Sequence, residues 1–212
     1  MSSKPPASAV VDSVILHYFL LVKQDRLLLR LLGSPLFVPR VIYDPDEGSG
    51  IKPFAMSEMT RAIDYYGRQT TDESIAVEDR ESAALNADRL RLVHELHGSG
   101  TLVVVDMDDA EWGLAAALMN PRRAGEFGLR FPLHTGEAAC VAIAVTRGWV
   151  MATDDTDALT ALRHLSPRHP YERIRKLLIR AGRTGLITKN AANEIHAAMR
   201  AHGFWDRQTP FA

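Results

Sequence analysis

Ser8-Ala-Val-Val-Asp12 is a short apolar run that ends in an acid, and its reading decides the fold. A run of that length and composition fits a strand buried on both faces. The pattern returns late in the chain, where Trp149-Val-Met-Ala-Thr-Asp-Asp-Thr-Asp157 ends in three acids. Between them, Gly136-Glu137 opens an apolar helical stretch that runs on to Val145. In an open parallel α/β sheet the carboxyl ends of the strands share one edge, and ligands bind there. Acids far apart in sequence are therefore expected to converge in one crevice. Unpaired carboxylates brought together repel one another. A hard divalent cation relieves that repulsion, and Mg²⁺ or Mn²⁺ prefers oxygen ligands. The pattern points to a metal-dependent phosphoryl-transfer site.

Working outward, strands are expected over residues 9–12, 36–39, 102–105 and 149–153. Helices are expected over 14–32 (ending at Gly33), 56–66 (closed by Gly67), 78–97, 108–119, 137–147 and 157–164. A terminal helical pair is expected over 171–181 and 188–202. Asp44-Pro-Asp-Glu-Gly-Ser-Gly50 reads as a loop from its Pro, Gly and Asp content, and Asn120-Pro-Arg-Arg-Ala-Gly125 as a turn or linker. Strands alternating with helices predict a three-layer α/β/α sandwich around a mainly parallel sheet of about four to five strands, with the helical pair added at the end.

Composition narrows the function classes. The 212 residues carry a net charge of −1, with 46% hydrophobic and 24% charged residues, which suits an ordinary globular domain. The single cysteine, Cys140, excludes an intramolecular disulfide framework and a cysteine-rich zinc site. The longest apolar run, residues 14–22, is too short to span a bilayer. The opening Met1-Ser-Ser-Lys-Pro-Pro6 is polar and unlike a signal peptide, so cytoplasmic residence is expected. No Gly-x₄-Gly-Lys-Ser/Thr loop, His-Glu-x-x-His pair or Gly-x-Ser-x-Gly elbow occurs. The near-neutral total hides an asymmetry. Between Arg163 and Arg207 ten basic residues face three acidic ones, a local +7 against −8 for the rest. An acidic body beside a basic tail suits either a nucleic-acid enzyme or a solvated helix face balancing that body.

Four stretches, in this order, resemble the PIN-domain nuclease family. Val10-Val-Asp-Ser-Val-Ile-Leu16 is similar to its first strand, and Leu36-Phe-Val-Pro39 to its second. Gly136-Glu-Ala-Ala-Cys-Val-Ala-Ile-Ala144 resembles its Gly-Glu-Ala helix, and Val150-Met-Ala-Thr-Asp-Asp155 its last core strand, ending Thr-x-Asp. The tail from Thr184-Gly-Leu-Ile187 to Ala201-His-Gly-Phe-Trp205 is similar to the C-terminal extension of a bacterial and archaeal branch. The resemblance implies a PIN-like catalytic domain over residues 1–165, with an insertion near 44–66. A basic helical extension over 166–212 would pack on the same domain.

The resemblance implies Asp12, Glu137 and Asp155 as metal-binding acids, with Asp154 and Asp157 beside them. The family's second acid sits in the helix after the second strand. Glu58, in Met56-Ser-Glu-Met-Thr-Arg61, best matches that context, while Asp44, Asp46 and Glu47 are nearer in sequence. Each acid also has a plain reading: Asp12 caps a helix, Glu137 sits in a favourable first turn, and the aspartates of 154–157 belong to a turn. Asp106-Met-Asp-Asp109 mimics a strand-end pair but reads as a helix start, capped by Asp108 or Asp109.

The activity so implied is Mg²⁺- or Mn²⁺-dependent hydrolysis of RNA phosphodiester bonds, with Asp12, Glu58, Glu137 and Asp155 as the catalytic acids. Arg173, Arg175, Lys176, Arg180 and Arg183 would guide the RNA backbone. Trp205 and Phe204 read as packing or base-stacking residues. Many bacterial relatives are toxins of toxin–antitoxin pairs, so a small antitoxin and a homodimer are further expectations. Two alternatives stand beside it: a degenerate scaffold that binds RNA or a protein partner, and a Mg²⁺-dependent phosphohydrolase acting on small molecules.

Overall fold

The computed structural model describes residues 8–46 and 56–211. The opening Met1–Pro6 stretch, Glu47 and the latter part of the 44–50 loop lie outside the described residues. Five strands form one all-parallel sheet: β1 (Ala9–Val11), β2 (Leu36–Pro39), β3 (Leu102–Val105), β4 (Val150–Ala152) and β5 (Tyr171–Glu172), in the spatial order β3-β2-β1-β4-β5. The helices among the described residues are α1 (Ser13–Leu21), α2 (Asp25–Leu32), α3 (Glu58–Thr71), α4 (Val77–Gly98), α5 (Asp109–Leu118), α6 (Thr135–Arg147), α7 (Thr156–Leu165), α8 (Ile174–Arg183) and α9 (Lys189–Ala201). The α/β sandwich expected from the alternating pattern is the fold observed.

The strand order has a direct consequence for function. From β1 the chain winds outward through β2 and β3, then returns to the other side of β1 for β4 and β5. Right-handed crossovers then put α1 to α4 on one face and α5 to α7 on the other. Helices α3 and α4 pack together, as do α5 and α6, and α8 and α9 close back onto the first face against α2 and α1. The winding direction reverses between β1 and β4, which makes the carboxyl ends of those two strands the switch point where crevices open. Val11 pairs with Ala152 in register, so the next residues, Asp12 and Thr153, stand side by side at that edge.

The core explains why the strands are short and uniformly apolar. Val10, Val11, Phe19, Val38, Leu90 and Met151 are buried, as is the run Ala138–Ala144 of α6 against the sheet. Small side chains in that run let the helix approach closely. Cys140 is fully buried there, as its place in an apolar run suggests. Among the described residues no helix is long and apolar enough to cross a membrane.

Three expected elements differ. The single helix over 14–32 is two helices, because Lys23 takes a left-handed backbone (φ 56°) and Gln24 N–H bonds back to the Phe19 carbonyl. No glycine marks that break, and the apolar pattern runs through it. The helix expected to close at Gly67 continues to Thr71. The helix expected from Tyr171 begins instead as β5, hydrogen-bonded to β4 through Met151 N–H to the Pro170 carbonyl and Thr153 N–H to the Glu172 carbonyl. Helix α8 follows from Ile174. The basic tail is therefore joined to the central sheet through its first element.

Candidate active site

Asp12 is the residue after β1 and the N-cap of α1. One carboxylate oxygen, Oδ1, accepts from Ser13 N–H at 2.7 Å, and Oδ2 accepts from the Thr153 hydroxyl at 2.6 Å. Asp12 is only 3% exposed, and no Lys or Arg pairs with it among the described residues. Burial, with the nearby charges of Glu58 and Glu137 adding to it and the Thr153 hydrogen bond opposing it, pushes its pKa up to about 7. The helix-cap reading is realised, and it does not exclude the functional one, because a cap uses one oxygen lone pair and leaves others.

Asp155 follows β4 across the switch point. It caps α7 by accepting from Ala158 N–H at 2.6 Å. Its own N–H donates to Thr153 Oγ1 at 3.0 Å. Thr153, wholly buried, thus links the two acids: its hydroxyl donates to Asp12 and accepts from the Asp155 backbone. Sequence reasoning did not single out Thr153. The signal was present in Thr-x-Asp, since the residue before Asp154 is the register neighbour of Asp12.

Glu137 lies in the first turn of α6, where Oε2 accepts from His134 N–H at 3.0 Å. Burial and then the charge of Asp155 raise its pKa, with Glu58 a smaller contributor in the same direction. Glu58 is the first residue of α3. After β2 the chain turns, with Ile42 N–H on the Pro39 carbonyl. At the start of α3, Glu58 N–H meets the Val41 carbonyl at 3.2 Å and Met59 N–H the Ile42 carbonyl at 2.9 Å. Glu58 therefore stands just beyond the carboxyl end of β2. Its carboxylate fills the place beside Gly136 where any other residue would put a Cβ: an added methyl would stand 2.3 Å from Oε1. Gly136 is thus a steric requirement of the site.

The remaining acids separate from this group. Asp44 and Asp46 are drawn to Arg40 (2.7 and 3.1 Å), which also holds Asp106. Asp154 is buried and turned the other way. It accepts from Ile174 N–H at 2.7 Å and from Arg173 Nε at 3.0 Å, anchoring the start of α8, and burial still keeps its pKa raised. Asp157 is solvent-exposed in the first turn of α7. Asp108 caps α5 in a capping box with Glu111, as its motif suggested.

Of the five basic residues, four have structural partners. Arg173 holds Asp154, Lys176 donates to the Tyr171 carbonyl, and Arg180 bridges Glu172 and the Leu31 carbonyl. Arg175 donates to the Thr209 carbonyl at 3.3 Å. Arg183 is exposed with no such partner among the described residues.

An all-carboxylate donor set matches the chemistry of a hard divalent cation, and the space beside Gly136 admits the Glu58 carboxylate. Among the described residues, however, no three His, Cys, Asp or Glu side chains are gathered closely enough to hold an ion as they stand. No protein-family model, curated protein or solved structure matches the chain.

Proposed function

We propose that this chain is a Mg²⁺- or Mn²⁺-dependent endoribonuclease, with Asp12, Glu58, Glu137 and Asp155 as its acids. The observation that carries the proposal is the placement of these four at the switch-point edge with no Lys or Arg paired to them among the described residues: the charges of Glu58 and Glu137 oppose ionisation of Asp12, and those of Asp155 and Glu58 oppose ionisation of Glu137, with His134 acting the other way on Glu137. A carboxylate whose pKa is raised by burial, with other carboxylates adding to it, is a group that gains from a cation. A bound divalent ion would supply Lewis-acid stabilisation of the charge that develops on a phosphodiester under attack by water.

The chain's own residues would do the rest. Thr153 fixes the Asp12 carboxylate, the helix caps fix Asp12, Asp155 and Glu137, and Gly136 admits Glu58. Arg183, exposed at the end of α8, would meet the RNA backbone, with the partly exposed Lys176 beside it. RNA as substrate, a toxin role, an antitoxin partner, a homodimer and cytoplasmic residence rest on the resemblance to PIN nucleases.

One observation favours a second reading, a catalytically degenerate scaffold: no tight ligand group exists among the described residues. Incubation of a mixed RNA pool with Mn²⁺ or Mg²⁺, against EDTA, separates the two. The nuclease reading expects cutting that needs metal and is lost in Asp12→Asn. Intact RNA with well-folded protein would support the scaffold.

A further inference from the structure

Beside the acids lies a cavity of about 250 Å³ between the first two turns of α1, the start of α3 and the residues after α9. Its walls include Ser13, His17, Tyr18, Glu58, Met59 and Trp205. The helical repeat places Ser13 with His17 on one row of α1, four residues apart. Two wall residues tie the cavity to the site: Ser13 follows Asp12, and Glu58 is one of the four acids. Trp205 is 52% exposed although it stands next to Phe204, which is buried at 3% against Tyr18 and His196. Phe204 anchors the chain end and leaves the indole at the cavity mouth, 6.3 Å from the Tyr18 ring and nearly perpendicular to it.

The charge of the cavity selects what enters. None of its lining residues is Lys or Arg, and Glu58 contributes a carboxylate. Burial, with the charge of His202 adding to it, lowers the His17 pKa to about 4, so its imidazole is neutral at physiological pH and offers one donor and one acceptor. A phosphate is repelled there. A flat, uncharged ring with hydrogen-bonding edges is not. The volume is below the roughly 300–1,000 Å³ of sites for drug-sized ligands, and fits a single ring system.

We propose that this cavity is a base-accepting subsite that takes one unpaired nucleobase of single-stranded RNA against Trp205, and so sets which phosphodiester lies at the acid edge. The inference rests on the ribonuclease reading and deepens it. A base can enter only when it is free of a duplex stack, so the subsite selects single strands.

The test is binding of a short fluorescein-labelled oligouridylate in EDTA at low salt, where no cleavage occurs, compared with oligomers carrying one abasic position moved stepwise along the strand. Wild type is expected to lose affinity about 5- to 150-fold at one position, the range for removing one stacked base. Trp205→Ala should bind all the oligomers alike, and Trp205→Phe should restore the position-dependent loss. Because residue 205 is half exposed, the variants are expected to keep the fold, which circular dichroism checks. A uniform loss at every position, a loss that persists in Trp205→Ala, or no binding at all would overturn the subsite. Metal-dependent cleavage without the positional loss would leave the nuclease reading standing and the subsite overturned. The positional loss without cleavage would uphold the subsite and remove the nuclease reading.

Discussion

At the β5 end of the sheet, Asp154 meets Arg173 and the Ile174 N–H, while Glu172 meets Arg180 at 2.7 Å and Lys176 at 3.5 Å. On the opposite face, Glu111, wholly buried, is held by Arg147 at 2.6 Å, and that pairing lowers its pKa. Around the switch point, the donors to Asp12, Glu137 and Asp155 among the described residues are neutral: the backbone N–H groups of Ser13, His134 and Ala158 and the hydroxyls of Thr153 and Ser13. The same residue types thus carry two roles in one molecule. For Asp154, Glu172 and Glu111 the fold supplies a guanidinium. At the switch point none is supplied, and burial, with neighbouring carboxylates adding to it, raises the pKa of Asp12 and Glu137, so that ionising them costs stability.

The largest expected effect is on chemistry. Asp12→Asn or Glu137→Gln should lower metal-dependent RNA cleavage by at least ~100-fold with the fold retained, on the scale of removing one well-placed electrostatic group. Asp154→Asn should leave cleavage far less affected. Equal losses at positions 12 and 154 in folded protein would erase the distinction between the two groups.

Next comes stability against pH. Folded Asp12 keeps its proton up to about pH 7, whereas the unfolded chain releases it near the ordinary 3.8. The folded state therefore binds more protons between those values, and stability falls as pH rises through that window. Asp12→Asn should remove the fall and be the more stable protein at pH 8, by up to about 4 kcal/mol. Denaturant melts at pH 4 and pH 8 check this; a wild type whose advantage over Asp12→Asn grows with pH would contradict it.

At Asp154, whose pKa burial also raises, the expected effect of the mutation on stability has the opposite sign. Asp154→Ala strands the Ile174 N–H and the Arg173 guanidinium and should cost about 1–3 kcal/mol at neutral pH. For a chain of this size that is a few degrees in melting temperature for each kcal/mol.

The smallest effect on stability should come from Gly136→Ala. The added methyl collides with the movable end of Glu58, and alanine gains up to about 1 kcal/mol of helix propensity in return. Thermal stability should stay near wild type while cleavage falls, because Glu58 is pushed from the edge. Unchanged cleavage would remove Glu58 from the site.

Much of this was legible because it is local. Asp12 directly follows an apolar strand, Asp155 comes three residues after the end of another, and Glu137 opens an apolar helix, so the chain order carries their placement. Glu58 was legible only through its helical surroundings, because what sets it beside β2 is a backbone bond to Val41. The break at Lys23 left no mark, since a single left-handed residue without glycine changes no pattern. Strand β5 is two residues long and reads as part of the helix that follows it. The basic tail read as either a nucleic-acid surface or a solvated helix face, and composition, which only counts charges, cannot see that Arg173 and Arg180 pair with Asp154 and Glu172.

The most direct measurement is Mn²⁺ binding by calorimetry at pH 8 to wild type, Asp12→Asn and Asp154→Asn. Saturable binding to wild type and Asp154→Asn, lost or weakened at least ~10-fold in Asp12→Asn, is the expected result. Binding that is absent from wild type, or that Asp12→Asn leaves intact, would contradict a metal site at the switch point.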